Sequence, residues 1–254
     1  QHGLPKLRIA DILNDTKMKE KEQSVRFQES LLSKAEKRFL TYLAKRTPSW
    51  VTSDMLTAIG VVGSIIVAIG YILSNENIYF LWLATFGFFV NWYGDSLDGT
   101  LARVRKSQRP VWGFFIDHNV DGITVAIMCI GAGLSGILSL YVAMLVLVAY
   151  LILSIYTYIN THLKNEFRIS YNRIGPTEFR LIMMILNTIF LYIEPLRNYS
   201  NTFNFYGSTI TLGIFDYLGI VIFLFIIISH FMSVYKDGKI YYKMDPPKKI
   251  DCDK

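Results

Sequence analysis

Asp95-Ser-Leu-Asp98-Gly99-Thr-Leu-Ala102-Arg103, then nine residues, then Gly113-Phe-Phe-Ile-Asp117-His-Asn-Val-Asp121 is the stretch on which the reading of this chain turns. Apolar runs flank it, so its four carboxylates stand at the edge of a membrane. An ionised Asp within a spanning segment costs about 2.5–3.5 kcal/mol on insertion scales. Four of them need a compensating partner, and a divalent metal is the natural one. Asp95 and Asp98 are three positions apart and Asp117 and Asp121 four, so on helices each pair shares a face. Two facing helix ends would bring all four to one point. Oxygen donors at that density suit Mg²⁺, Mn²⁺ or Ca²⁺ rather than zinc. Gly99 and Gly113 leave room for a ligand to approach the backbone. Arg103, one turn beyond Gly99, carries a planar fork suited to phosphate oxygens. Together these features point to a phosphorylated substrate, with a diphosphate the expected form.

The composition around this stretch agrees. Of 254 residues, 52 % are hydrophobic, and the mean hydropathy is +0.33. That is too apolar for an ordinary soluble domain and fits a polytopic membrane protein. Six apolar segments cover roughly residues 55–74, 78–95, 112–136, 139–162, 179–194 and 212–235. Each approaches the ~20 residues that a bilayer demands, the fifth being short. The net charge of +6 is a membrane-surface signature rather than a nucleic-acid one, because of where the charge lies. With the N-terminus in the cytosol, 25 of the 26 Lys and Arg residues fall on the cytosolic side, and Arg197 alone falls opposite. Both termini and the Asp cluster are then cytosolic. The first residues are polar and show no cleavable signal, so the first span is the expected insertion signal. The two cysteines, Cys129 in an apolar run and Cys252 in the tail, are not expected to form a disulfide.

Ahead of the spans, residues 28–46 read as an amphipathic helix. Leu32, Ala35, Phe39, Tyr42 and Leu43 stand at helical spacing among Lys34, Lys37, Arg38, Lys45 and Arg46. It is expected to lie in the headgroup plane, because a span follows at once; packing on another subunit is the alternative. Three regions result: a cytosolic N-terminal segment (1–47), a six-helix membrane domain (48–236) and a basic tail (237–254).

The central stretch resembles the signature of the CDP-alcohol phosphotransferase (CDP-alcohol phosphatidyltransferase) family. Asp95, Asp98, Gly99, Ala102, Arg103, Gly113, Asp117 and Asp121 match it in type and order. The resemblance implies an all-α integral membrane enzyme with six transmembrane helices, usually a homodimer. It implies transfer of a phosphoalcohol from a CDP-linked donor to a hydroxyl acceptor, with release of CMP. It also implies that Asp95, Asp98, Asp117 and Asp121 hold one or two Mg²⁺ or Mn²⁺ ions, with Asp121 the general base. Gly99, Ala102, Arg103 and Gly113 fall at the donor's diphosphate. Ser53-Asp54-Met55-Leu56-Thr57 stands where many members carry Pro-Asn-x-x-Thr, so Asp54 and Thr57 are expected at the cytidine end. Ser53 or Asp54 also suits a helix N-cap.

The basic loop over residues 164–180 is the expected acceptor side, through Lys164, Arg168, Arg173 and Arg180, although positive-inside bias alone predicts basic residues there. Thr177 suits a cap for the fifth helix. The arginine-rich loop favours CDP-diacylglycerol with an anionic acceptor. Phe114-Phe115-Ile116 before Asp117-His118 favours an aminoalcohol donor acting on diacylglycerol. His118 is expected to point away from the Asp117/Asp121 face, and Asn91, a turn before Asp95, to bond into the site or between helices. Gly131, Gly133 and Gly136 form a small-residue patch suited to helix packing or a dimer seam. An ion-coupled transporter also carries intramembrane carboxylates, but near the midplane rather than at the edge.

Overall fold

The computed structural model describes residues 25–27, 33–164, 166–168, 175–205 and 208–247, and these are mostly helical. Helix α1 (Ser33–Arg46) stops just short of Pro48, whose ring would clash in a continuing helix. Helix α2 (Ser53–Leu73) starts where Thr52 Oγ1 accepts a hydrogen bond from Met55 N at 3.2 Å. That corrects the expected cap: Ser53 and Asp54 are already helical, and Thr52 has the extended backbone that a cap requires. A 3-10 turn (Ile78–Phe80) leads into α3 (Leu81–Val104). Helix α4 (Pro110–Gly133) begins on a proline, where the missing N–H is no loss. Helix α5 (Leu140–Lys164) follows, then α6 (Pro176–Tyr192), the single turn α7 (Glu194–Arg197) and α8 (Ile214–Met244). The cap of α6 comes from Glu178, whose Oε2 accepts from Gly175 N at 3.0 Å. Thr177 is occupied elsewhere and does not serve as that cap.

Among the described residues, four helices are long and apolar enough to cross a membrane: Ser53–Leu73, Pro110–Gly133, Leu140–Leu163 and Ile214–Met244. Helix α3 has the length, at 24 residues, but carries Asn91 near its middle and Asp95 and Asp98 in its second half. Helix α6 is 17 residues long. Helix α8 continues unbroken through residue 236 to Met244, so the first part of the basic tail is helical.

The tightest packing joins α2 and α3, and glycines make it possible. A Cβ on Gly63 would overlap the Asn91 backbone, and one on Gly94 would overlap the backbone of Gly60. Bare backbone on both sides lets two antiparallel helices touch, the usual device of helix pairs in lipid. The N-terminal turns of α2 are thereby pressed against the C-terminal turns of α3. Helix α4 closes on α2 in the same way, with Gly131 against Ala68. The glycine patch therefore packs within the chain rather than forming the seam between copies that was one expectation. Gly136, at φ +66°, makes the turn into α5.

Two apolar clusters flank this core. One joins Val67, Tyr71, Leu81, Ala84 and Phe88 to Phe190 and Phe215. The other seats α1 on α2 and α3 through Leu40, Ala44, Leu56, Leu97 and Leu101. The buried face of α1 is thus Leu40 and Ala44, and of the expected stripe Leu43 packs beside them. Phe39 and Tyr42 are 51 % and 49 % exposed, Ala35 is exposed, and Leu32 lies outside the described residues. Helix periodicity could not reveal that Leu97 and Leu101 of the same chain offer α1 an apolar seat.

Strands lie outside the helical body. Val25–Phe27 (β1) pairs in parallel with Glu166–Arg168 (β2). Ser200–Phe205 (β3) and Ser208–Gly213 (β4) form an antiparallel hairpin before α8, with Thr202 opposite Thr211. The helical reading of the sequence left this segment as a plain loop, although its Thr, Ile and Phe residues suit strands.

Candidate active site

The polar layer is built from three helix segments that the glycine contacts bring together. Helix α3 contributes Asp95 and Asp98, one turn apart on one face. Helix α4 contributes Asp117 and Asp121 in the same manner. Helix α2 contributes Thr57. A small cavity is lined by Thr57, Gly60, Asn91, Asp95, Asp117, Val120, Asp121 and Thr124. Asp98, 6 % exposed, adjoins it behind Thr57. The four carboxylates lie within electrostatic reach of one another: Asp98 experiences Asp95 and Asp117, and Asp121 experiences all three.

Asp98 is held in place by α2 and by its own helix. Thr57 Oγ1 stands 2.6 Å from Asp98 Oδ2 and 3.1 Å from the Ser53 carbonyl, with the carboxylate the nearer acceptor. Ser53 Oγ donates to the Asp98 carbonyl at 3.0 Å, and Gly99 N donates to Asp98 Oδ1. Asn91 Nδ2 donates to Gly60 O at 2.9 Å and to Ser64 Oγ at 3.0 Å, fastening α3 to α2 beside the cluster. Its Oδ1 is buried without a hydrogen-bond partner among the described residues. Asn91 therefore bonds between helices and also lines the cavity.

Arg180 enters from α6. Its Nη2 donates to Asp95 Oδ2 at 2.6 Å, with the arginine side chain 12 % exposed and the aspartate 30 %. Its Nη1 is buried and has no hydrogen-bond partner among the described residues. Of the four basic residues expected on the acceptor side, Arg180 is the one whose side chain is seen at the cluster. Arg173 lies outside the described residues, and only the backbone of Lys164 and Arg168 is described.

The remaining expected residues do not line the cavity. Arg103 Nη2 donates to Thr100 Oγ1 at 2.9 Å, and its guanidinium lies over Gly99, 3.4 Å from where a Cβ would stand. Ala102 is half-buried, and Gly113 has open space where a side chain would be. Asp54 is half exposed and paired with Arg109. His118 Nδ1 is 2.7 Å from Phe114 O, and its ring packs on Phe114 and Tyr158, off the cavity as expected.

Two contributors escaped the sequence reading. Arg105 donates to the carbonyls of Val51, Thr47 and Pro48, bracing the turn between α1 and α2 against the end of α3. Glu36 Oε1 accepts from Trp92 Nε1 at 2.8 Å and from Thr177 Oγ1 at 2.7 Å. The available signal was that Glu36 is the lone acid in the otherwise basic Ser33–Arg46 segment.

The donor set fits a hard divalent cation. Four carboxylates converge, no thiol or imidazole lines the cavity, and a buried amide oxygen stands unpartnered beside them. Among the described residues no three such side chains are already arranged around a metal position. Arg180 supplies the positive charge at Asp95 instead. Oxygens gathered in apolar surroundings, with the Arg180 guanidinium beside them, are suited to holding a phosphorylated ligand through a cation.

The family model described as CDP-alcohol phosphatidyltransferase matches residues 50–215, which include α2 to α6 and every cluster residue above. No curated protein matches the chain.

Proposed function

Because the chain belongs to the CDP-alcohol phosphatidyltransferase family, we propose that it moves a phosphatidyl group from CDP-diacylglycerol to an acceptor hydroxyl and releases CMP, in phospholipid biosynthesis. The observation that carries this reading is that Asp95, Asp117 and Asp121 line one cavity, with Asp98 adjoining it behind Thr57. Packing two acidic pairs from separate helices together is unfavourable unless they share a ligand. Family membership removes the support for the ion-coupled transporter reading.

In this reading α2 to α6 and α8 are six spans. At 1.5 Å per residue even α6 reaches about 25 Å, near the roughly 30 Å of a bilayer core. The charge bias puts both termini and the cluster at the cytosolic surface. Residues 1–47 form the cytosolic N-terminal segment, 48–236 the membrane domain and 237–254 the tail, and two copies associate as a homodimer.

Asp95, Asp98, Asp117 and Asp121 would hold one or two Mg²⁺ or Mn²⁺ ions, which when bound neutralise the donor's diphosphate and the charge developing on CMP. Arg103 and the backbone at Gly99 hold the diphosphate, with Ala102 and Gly113 leaving it room. Thr57 and Asp54 meet the cytidine end. Asp121 takes the acceptor's proton on a carboxylate oxygen. The acceptor oxygen bonds to the phosphorus that carries the alcohol, the bond from that phosphorus to the bridging oxygen breaks, and CMP leaves with the electron pair. Arg180, together with Arg173, Arg168 and Lys164, serves an anionic acceptor. The Nη1 of Arg180, unpartnered among the described residues, favours this over an aminoalcohol donor with diacylglycerol.

The test is release of labelled CMP in detergent from a panel of CDP-linked donors and hydroxyl acceptors. Release is expected only with Mg²⁺ or Mn²⁺ and an acceptor together, and best from CDP-diacylglycerol. Release that ignores the acceptor, or none from any donor, overturns the proposal.

A further inference from the structure

Glu36 lies outside the family-matched residues, yet it touches α3 and α6, the helices that carry Asp95 and Arg180. One carboxylate oxygen accepts from Trp92 on α3 and from Thr177 on α6. Trp92 precedes Asp95 by three residues, and Thr177 precedes Arg180 by three. On both helices the bridged residue is thus one turn from a member of the Asp95–Arg180 ion pair. Glu36 is itself held by the seating of α1 through Leu40 and Ala44. The chain just before α6, residues 169–174, lies outside the described residues. Beside the Arg180–Asp95 pair and the Asn187–Thr85 bond, the carboxylate of α1 is thus a further link between α6 and α3, placed at the first turn of α6.

We propose that Glu36 is a positioning residue, which docks the start of α6 on α3 and so sets where Arg180 stands against Asp95. A hydrogen bond to a charged acceptor is among the stronger ones, and two share this oxygen. The amphipathic helix is then part of the site's framework and not merely an anchor. That the position of Arg180 affects turnover rests on the phosphotransfer reading above.

The experiment uses the full chain with Cys129 and Cys252 replaced by alanine and spin labels at Val104→Cys and Phe179→Cys, both exposed positions. Electron–electron distances are compared for Glu36, Glu36→Gln and Glu36→Ala. Glutamine keeps an oxygen that accepts both bonds, so its distance distribution should match that of the parent. Alanine should broaden the distribution or displace it. Thr177→Val, which removes one arm and leaves α1 untouched, should do so to a lesser degree, and it serves if Glu36→Ala does not fold. In kcat/KM, Glu36→Ala should lose about tenfold, recover in Glu36→Gln, and add nothing further in an Arg180→Gln background. Unchanged distances in both Glu36→Ala and Thr177→Val, or fully additive losses with Arg180→Gln, overturn the proposal. The distance measurement needs no substrate. Expected distances in a chain that releases no CMP would retain the bridge and reject the phosphotransfer reading.

Discussion

Carboxylates so near one another must be held by their surroundings, and the residues that hold them differ in what they can lose. Asp121 faces the cavity beside Asp117 and is the proton acceptor of the proposed reaction. Asp121→Asn keeps the volume and removes the base, so kcat should fall about 100- to 10,000-fold while the donor still binds. A variant with unchanged kcat would assign the proton elsewhere. Thr57 orients Asp98 through a 2.6 Å hydrogen bond in a setting that offers Asp98 little water. Thr57→Val is nearly isosteric but cannot donate. Its Mn²⁺ affinity, measured by calorimetry, should drop about 10- to 100-fold, the usual loss when the partner of a metal ligand is removed. Arg180→Gln leaves Asp95 without its cation, and here the expected loss falls on the KM of an anionic acceptor more than on that of the donor.

At the scale of elements, the site depends on how closely α2 and α3 approach. Gly60 and Gly94 lie back to back at the level of Asp95, since a Cβ on Gly60 would stand 3.3 Å from Asp95 N. Gly94→Val should force the helices apart and cost about 1–3 kcal/mol of stability, with activity lost as the Thr57–Asp98 contact opens. Thermal unfolding in detergent, read beside CMP release, checks both effects. Gly113→Ala meets nothing within 4 Å of its new Cβ, so stability should not change, and any loss should appear in donor KM.

For the molecule as a whole, the arrangement sets one polar end against another. The Asp cluster, the basic 105–109 turn and α1 share the first; the Asn75–Leu134 bond, the Asp216 contacts to Ser139 and Gly213, and the β3–β4 hairpin form the second. If the charge bias orients the chain as proposed, a cysteine at Ser107 should react with a membrane-impermeant maleimide from the cytosolic side, and one at Thr202 from the opposite side. Labelling of both from one side would rule out this topology.

Much of this was legible before any coordinates. Spacings of three and four placed each aspartate pair on a helix face, because α-helical geometry is local. The apolar runs and the distribution of lysine and arginine marked a membrane protein, because insertion energetics act segment by segment. What was not legible depended on neighbours remote in the chain. Thr52 rather than Ser53 caps α2, Leu40 and Ala44 rather than Phe39 and Tyr42 seat α1, and Gly131 meets Ala68 of the same chain. The Arg180–Asp95 pair spans 85 positions and the Glu36–Thr177 bond 141. Periodicity describes which faces a helix offers. Only the packed fold decides which face finds a partner, because that choice turns on backbone approach and shape between surfaces that no local pattern encodes.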